Sequence, residues 1–135
     1  MNNAKTASSP PKMERPLSPH IQIYRWPLNM ALSILHRISG GALCVALLLV
    51  MWMIASVMMG PRAWHAFTWV LQEPIGKLAL TGWAAALCFH ALNGIRHLVW
   101  DSGRLFTIRG SEFGGWLVLA GTLAGTIFSA WMIWA

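Results

Sequence analysis

Residues 38–61 read ISGGALCVALLLVMWMIASVMMGP, with no charged side chain between Arg37 and Arg62. An α-helix needs roughly 20 apolar residues to cross the hydrocarbon core of a bilayer, which is about 30 Å thick. This stretch is long enough, and it lacks the alternation of polar and apolar residues that is typical of strands in a membrane barrel. It therefore predicts a transmembrane helix in an integral membrane protein.

Two further stretches of the chain share this character. Residues 78–95 contain no Asp, Glu, Lys or Arg, and neither do residues 113–135. The first of these is short, and it spans the membrane if Arg96 or Lys77 at its ends extends toward the headgroups. The 135 residues are 56% hydrophobic and 10% charged, whereas soluble domains carry about 25% charged residues. The predicted fold class is all-α, an integral membrane bundle of three transmembrane helices.

Proline, glycine and tryptophan residues mark the predicted boundaries. In the segment between the first two helices, Trp64, Phe67 and Trp69 suit the headgroup belt and predict a short interfacial helix. We expect an N-terminal segment and three helices, joined by an outer loop and then a cytoplasmic loop. In chain order these are residues 1–27, helix 28–59, outer loop 60–73, helix 74–101, cytoplasmic loop 102–112 and helix 113–135.

The basic residues are distributed unequally between the two sides of the membrane. The side with the N-terminus and the second loop carries eight Lys and Arg residues, and the first loop carries two, Arg62 and Lys77. Because Lys and Arg are enriched in cytoplasmic segments, the N-terminus is predicted to be cytoplasmic and the C-terminus to lie outside. The net charge of +6 then reflects orientation and contact with anionic membrane lipid. A nucleic-acid partner is not expected, since no basic stripe is interleaved with aromatic residues.

The first twelve residues bear on the location of the protein. They contain neither the apolar core of a secretory signal nor an early arginine, and mitochondrial transit peptides are rich in arginine. This composition favours a bacterial inner membrane over the mitochondrial inner membrane.

His90 is the ionisable residue that lies deepest in the second predicted helix, roughly 9 Å further in than Arg96. Such residues are costly in a membrane and are candidates for function. Two roles stay open: a hydrogen bond to a neighbouring helix, or ligation of haem iron. Gly94 and His97 share its helical face. Gly94 would leave room for a flat macrocycle, and His97 lies nearer the surface, where a propionate would reach it. The chain offers no good second axial ligand.

Ser33, His36 and Arg37 form a second polar cluster, at the predicted cytoplasmic end of the first helix. Their i, i+3, i+4 spacing predicts a shared helical face. A hydroxyl, an imidazole and a guanidinium group in that place suit hydrogen bonds to a quinone carbonyl or to haem propionates. The alternative is that Arg37 only anchors the helix at the positive side of the membrane, with Ser33 as a cap.

These clusters belong to two longer motifs. The first contains RPLSPH at 15–20 and SxxHRxSG at 33–40, and the second is HxxxGIRHLxWDxG at 90–103. From Arg15 to its end, the chain resembles the cytochrome b556 family of succinate dehydrogenase. Members of this family are the larger membrane anchor of the enzyme, and the RPLSPH motif resembles their mitochondrial and alphaproteobacterial form.

The resemblance implies an anchor subunit of succinate:ubiquinone oxidoreductase, or complex II, without a complete active site of its own. It implies that His90 is an axial ligand of haem b, and that a smaller anchor subunit supplies the second ligand and completes the bundle. It places Ser33 and Arg37 at the ubiquinone site, next to the iron–sulfur subunit that receives electrons from the flavoprotein. It places His36, Arg37 and His97 near the haem propionates.

Three alternatives stay open at the level of the sequence. A fumarate reductase anchor would carry electrons in the opposite direction. A transporter or channel subunit would need polar residues along the whole membrane path, and the outer halves of these helices are apolar. A haem-free anchor would use His90 only for packing.

Overall fold

The computed structural model describes residues 23–105 and 107–135. These residues form four helices and no strand: α1 (Leu28–Met59), α2 (Pro61–Gln72), α3 (Pro74–Asp101) and α4 (Ile108–Trp134). Helices α1, α3 and α4 are long and apolar enough to cross a membrane. The predicted all-α membrane fold is therefore confirmed. The expected N-terminal segment and the RPLSPH motif fall mainly on residues 1–22, outside the described residues.

The three long helices alternate in direction. We call the end where α1 and α4 begin and α3 finishes the basic end, and the other the opposite end. Among the described residues, the basic end carries the exposed arginines Arg25, Arg37, Arg104 and Arg109, and the opposite end carries Arg62 and Lys77. Gly60 connects α1 to α2 with a φ of 96°, a conformation that glycine adopts without steric cost.

Helix α4 packs closely against α3 because its contact face is made of small residues. A methyl group at Gly121 would lie 2.8 Å from Leu92 Cδ1, and one at Gly125 would lie 2.8 Å from Cys88 Sγ. Glycines one turn apart allow membrane helices to approach to this distance. The Gly121-x-x-x-Gly125 pattern therefore forms a helix contact inside this chain.

The apolar core of the described residues is small. It is formed by Leu32, Phe89 and Val118, one from each long helix. Most other large apolar side chains are exposed on the outside of the bundle. Helices that are apolar on all sides are typical of a membrane or of a larger assembly, so this surface suits lipid tails or additional helices.

Helix α2 lies against the opposite end of the bundle. The side chain of Phe67 is only 4% exposed, and its ring meets Trp52 of α1 edge-on with 5.0 Å between centroids. Trp64 and Trp69 are exposed, as expected for an interfacial helix. Phe67 differs from the expectation, because it packs into the bundle instead of facing the headgroup region.

Helix α4 begins at Ile108, before the charge-free stretch that starts at Phe113. Thr107 caps it, since its Oγ1 accepts a hydrogen bond of 3.1 Å from the backbone N–H of Gly110. Such a cap satisfies one of the free amides in the first turn of a helix. Backbone hydrogen bonding decides where a helix starts, whereas the absence of charge decides only which part suits hydrocarbon.

Candidate functional site

Three histidines from the two motifs meet between α1 and α3. The ring of His36, on α1, stacks on that of His90, with centroids 4.0 Å apart and 9° between the planes. It also stacks on His97, with centroids 5.2 Å apart and 20° between the planes. His36 therefore bridges two residues that lie about two turns apart on α3. We call these three residues the histidine cluster.

The Nδ1 atom of His90 is within hydrogen-bond distance of two oxygen atoms of α1. It lies 3.1 Å from Ser39 Oγ and 3.2 Å from the backbone oxygen of His36. A backbone carbonyl only accepts hydrogen bonds, so Nδ1 carries the proton and donates it. In a neutral imidazole the free lone pair is then on Nε2.

The two roles that the sequence left open for His90 thus use different nitrogen atoms. The hydrogen bonds to α1 use Nδ1, and a metal would take the lone pair of Nε2. Histidines that bind metals usually donate their other N–H to a carbonyl, a carboxylate or water, which sets the tautomer and the ring orientation. The surroundings of His90 therefore fit an imidazole ligand of haem iron.

Two glycines of the motifs shape the space around His90. A methyl group at Gly40 would lie 3.1 Å from His90 Cε1, so the imidazole packs directly on the backbone of α1. A methyl group at Gly94, one turn further along α3, would meet nothing within 4 Å among the described residues. The surface beside Gly94 is therefore open, as a flat group bound next to His90 would require.

The other two histidines have different hydrogen-bonding environments. His97 Nδ1 lies 2.7 Å from the backbone oxygen of Asn93 and therefore donates to it. His36 Nδ1 is buried without a hydrogen-bond partner in the described part of the chain. Within that part no three His, Cys, Asp or Glu side chains are grouped to hold a metal ion by themselves. A metal at His90 would have to bring further ligands, as iron in a porphyrin does.

Ser33 and Arg37 lie one turn apart on α1, and both side chains are exposed. His36 is half-buried on the same helix, because its ring turns toward α3. The three residues of the i, i+3, i+4 pattern, which were predicted to share one helical face, therefore lie in two different environments. His36 joins the histidine cluster, and Ser33 and Arg37 remain accessible at the basic end.

Arg96 connects the three long helices at the basic end and is only 5% exposed. Its Nη1 donates to Asn93 Oδ1 (3.3 Å), and its Nη2 donates to Asn29 Oδ1 and to the Ser111 backbone oxygen (2.9 Å). Its Cζ lies 4.0 Å from the ring centroid of Trp100. Arg96 therefore does not extend toward the headgroups. The sequence had predicted that the short second span could cross the membrane if either Arg96 or Lys77 did so. Arg96 turns inward because oxygens on three helices accept hydrogen bonds from Nη1 and Nη2, which offsets the cost of burying the charge. Its Nε is buried without a partner in the described part of the chain.

Some polar residues of these sites were not predicted from the sequence. Ser39 carried a signal, since it lies within the first motif and three residues after His36. Asn93 carried a weaker one, as an amide inside a predicted span. Asn29 and Ser111 carried none, because their role depends on Arg96 reaching them from another helix.

Most of the chain is similar to known bacterial proteins. Residues 11–129 match the family model described as succinate dehydrogenase/fumarate reductase transmembrane subunit. The chain is 38% identical over 109 residues to the succinate dehydrogenase cytochrome b556 subunit of Paracoccus denitrificans, a match that covers 81% of this chain and 84% of that protein. The corresponding subunit of Rickettsia typhi is 40% identical over 107 residues, with 78% and 82% covered.

A mitochondrial protein is also similar. The succinate dehydrogenase cytochrome b560 subunit of Mus musculus is 40% identical over 104 residues, which cover 67% of this chain and 54% of the mouse protein. The resemblance inferred from the two motifs is therefore confirmed. The chain belongs to the succinate dehydrogenase/fumarate reductase transmembrane subunit family.

Proposed function

We propose that the chain is the membrane-anchor cytochrome b subunit of a succinate:ubiquinone oxidoreductase, complex II. It would bind haem b through His90 and help to form the site at which ubiquinone is reduced. One observation carries this proposal: His90 Nδ1 is hydrogen-bonded to α1, so that Nε2 has the lone pair an iron ligand needs. The names of the bacterial relatives, which are cytochrome b subunits of succinate dehydrogenase, support it.

In this proposal the haem lies between the chain and a smaller anchor subunit, which supplies the second axial ligand. His90 is half-buried, and the helix surface beside Gly94 is open. The large exposed apolar surface of the bundle suits contact with the helices of such a partner and with membrane lipid. When bound, the haem supplies an electron acceptor whose potential depends on its ligands and its burial.

His36, Arg37 and His97 are proposed to lie beside the haem propionates. The stacking of His36 on both other histidines keeps the three rings in one group. His97 donates its Nδ1–H to the Asn93 carbonyl, so it would hydrogen-bond a propionate through Nε2 in the imidazolium form, in which both ring nitrogens are donors. The exposed guanidinium group of Arg37, next in sequence to His36, would supply a positive charge for the same carboxylates.

Ser33 and Arg37 are proposed to bind ubiquinone at the basic end. Both are exposed and lie one turn apart, so a hydroxyl donor and a cation are available to one ligand. Donors held in this way stabilise the negative charge that develops on a quinone oxygen as it is reduced. The iron–sulfur subunit, which passes on electrons from the flavoprotein, would dock at this end.

The proposed location is the bacterial inner membrane, with the N-terminus in the cytoplasm. The first two relatives named above are bacterial. The excess of exposed arginines at the basic end over the opposite end supports this orientation, because basic residues are enriched on the cytoplasmic side. Reporter fusions at the C-terminus would test it, and a cytoplasmic C-terminus would contradict it.

The haem assignment is tested on the assembled complex in native membranes. The parent complex should show a b-type band in the reduced-minus-oxidised spectrum, and His90→Ala should lose that band. His65→Ala is the matched control, since His65 is exposed on α2 at the opposite end, and it should keep the band. A parent complex without the band would contradict haem binding. A band unchanged in His90→Ala would assign the ligand to another residue.

A further inference from the structure

We propose that Ser39 is a positioning residue that tunes His90 as a haem ligand and thereby lowers the redox potential of the haem. The inference rests on the proposed role of His90 in haem binding. It concerns a buried hydroxyl of α1 that would not touch the haem itself.

The hydrogen bonds of the Ser39 hydroxyl show which group donates and which accepts in its contact with His90. Ser39 is 7% exposed, and its Oγ donates to the backbone oxygen of His36 over 2.8 Å. A hydroxyl has a single proton, so the lone pairs of Oγ remain to accept the N–H of His90 Nδ1 at 3.1 Å. The His36 carbonyl thus orients the hydroxyl, and the hydroxyl holds the imidazole in the tautomer with Nε2 unprotonated.

Ser56 shows what a buried serine does elsewhere on the same helix. It is 1% exposed, and its Oγ donates to the backbone oxygen of Trp52 over 2.7 Å. In both serines the hydroxyl proton is therefore donated to a backbone oxygen of α1. Of the two, Ser39 is the one whose oxygen meets an imidazole of α3, so Ser56 is a matched control for the loss of a buried hydroxyl.

The chemical consequence follows from electron donation. A hydrogen bond accepted from Nδ1–H makes the imidazole a stronger base at Nε2. A stronger donor stabilises ferric iron more than ferrous iron, because the ferric ion carries the larger positive charge. The bond from Ser39 should therefore lower the potential of the haem. Without the hydroxyl, the His36 carbonyl remains as an acceptor, so the ligand should stay bound while the potential rises.

The experiment is a redox titration of the b-type band in the assembled complex in membranes. In Ser39→Ala we expect the band to remain and the preference of the site for ferric over ferrous haem to fall about tenfold. This change corresponds to a midpoint potential about 59 mV more positive for one electron. Ser39→Thr, which keeps a hydroxyl, should stay close to the parent potential, and so should Ser56→Ala.

Two results would overturn the inference. One is an unchanged potential in Ser39→Ala, and the other is an equal shift in Ser56→Ala, which would reflect the packing of α1 in general. If Ser39→Ala fails to assemble, Ser39→Cys decides the matter, because a thiol has a similar size but accepts hydrogen bonds weakly; an unshifted potential there also overturns it. The His90→Ala spectrum tests the proposed function separately, since loss of its band would support haem binding whatever Ser39 does.

Discussion

The imidazole rings of His36 and His90 stack 4.0 Å apart and within 9° of parallel, although the two residues are 54 positions apart in the chain. The contact joins the two sequence motifs into one site. His36 contacts His90 in two ways. Its ring stacks on the His90 imidazole, and its backbone oxygen accepts a hydrogen bond from Nδ1–H. Any movement of α1 against α3 should therefore displace His90.

Gly40→Ala should disturb this contact. The added methyl group would lie 3.1 Å from His90 Cε1, so the ring or the helix must move by a few tenths of an ångström. Overpacking of this kind costs roughly 1–3 kcal/mol. We expect a less stable complex with an altered haem spectrum. At Gly41 the methyl group would meet nothing within 4 Å, so Gly41→Ala should match the parent in denaturation and in spectrum. Identical behaviour of the two variants would contradict the packing described here.

Gly94→Leu tests whether a flat group lies on the open surface beside His90. Among the described residues, a methyl group at Gly94 or at Gly82, both on α3, would meet nothing within 4 Å. Both sites should therefore accept a side chain in the chain itself. Leucine at 94 would occupy space needed by the haem, and a penalty of about 1.4 kcal/mol weakens haem binding about tenfold, so the haem content of the complex should fall. The measurement is extracted haem per flavin, with Gly82→Leu as the control. Full haem content in Gly94→Leu would place the haem elsewhere.

Ser33→Ala and Arg37→Ala should impair quinone reduction more than electron transfer from succinate to an artificial dye. In the proposed quinone site each variant would remove one donor to the reacting quinone oxygen, which costs about tenfold in rate or more. Dyes that accept electrons ahead of the membrane subunits bypass the site. Arg62→Ala removes an exposed arginine at the opposite end and should leave both assays unchanged. Equal losses in the two assays would count against a quinone role.

Arg96→Ala should destabilise the bundle by about 3 kcal/mol, because it leaves oxygens on three helices without their donor. Arg96→Lys should recover only part of this loss, since an ammonium group lacks the planar fork of a guanidinium. Arg104 is exposed at the same end, and Arg104→Ala should change stability by no more than about 0.5 kcal/mol. Chemical denaturation of the purified complex would measure the stability of each of the three variants. A small, equal effect at both positions would contradict the inward role of Arg96.

Much of the fold could be predicted, because the bilayer restricts what a chain can do. A span in hydrocarbon must satisfy its backbone hydrogen bonds internally, so a long charge-free stretch predicts a helix. The start of α4 was less predictable. Arg109 and Glu112 ended the charge-free stretch at Phe113, whereas the cap at Thr107 starts the helix earlier.

The candidate site was predictable in its residues and less so in their arrangement. His36, His90 and His97 were singled out because an imidazole is costly in a membrane. Their stacking was not predicted, and neither was the separation of His36 from Ser33 and Arg37. Residues on one helix share a face approximately, and the position of the neighbouring helix decides which of them it covers.

By itself the sequence determined the three charge-free spans, the unequal distribution of basic residues and the two motifs that identify the family, because these depend on composition and on spacing along one chain. Only the tertiary structure decided that Ser39 meets Nδ1 of His90, that Nε2 keeps the lone pair, and that Arg96 turns inward. These contacts join residues of different helices. They depend on the height and rotation of each helix against its neighbours, which packing of the whole bundle sets and no local pattern encodes.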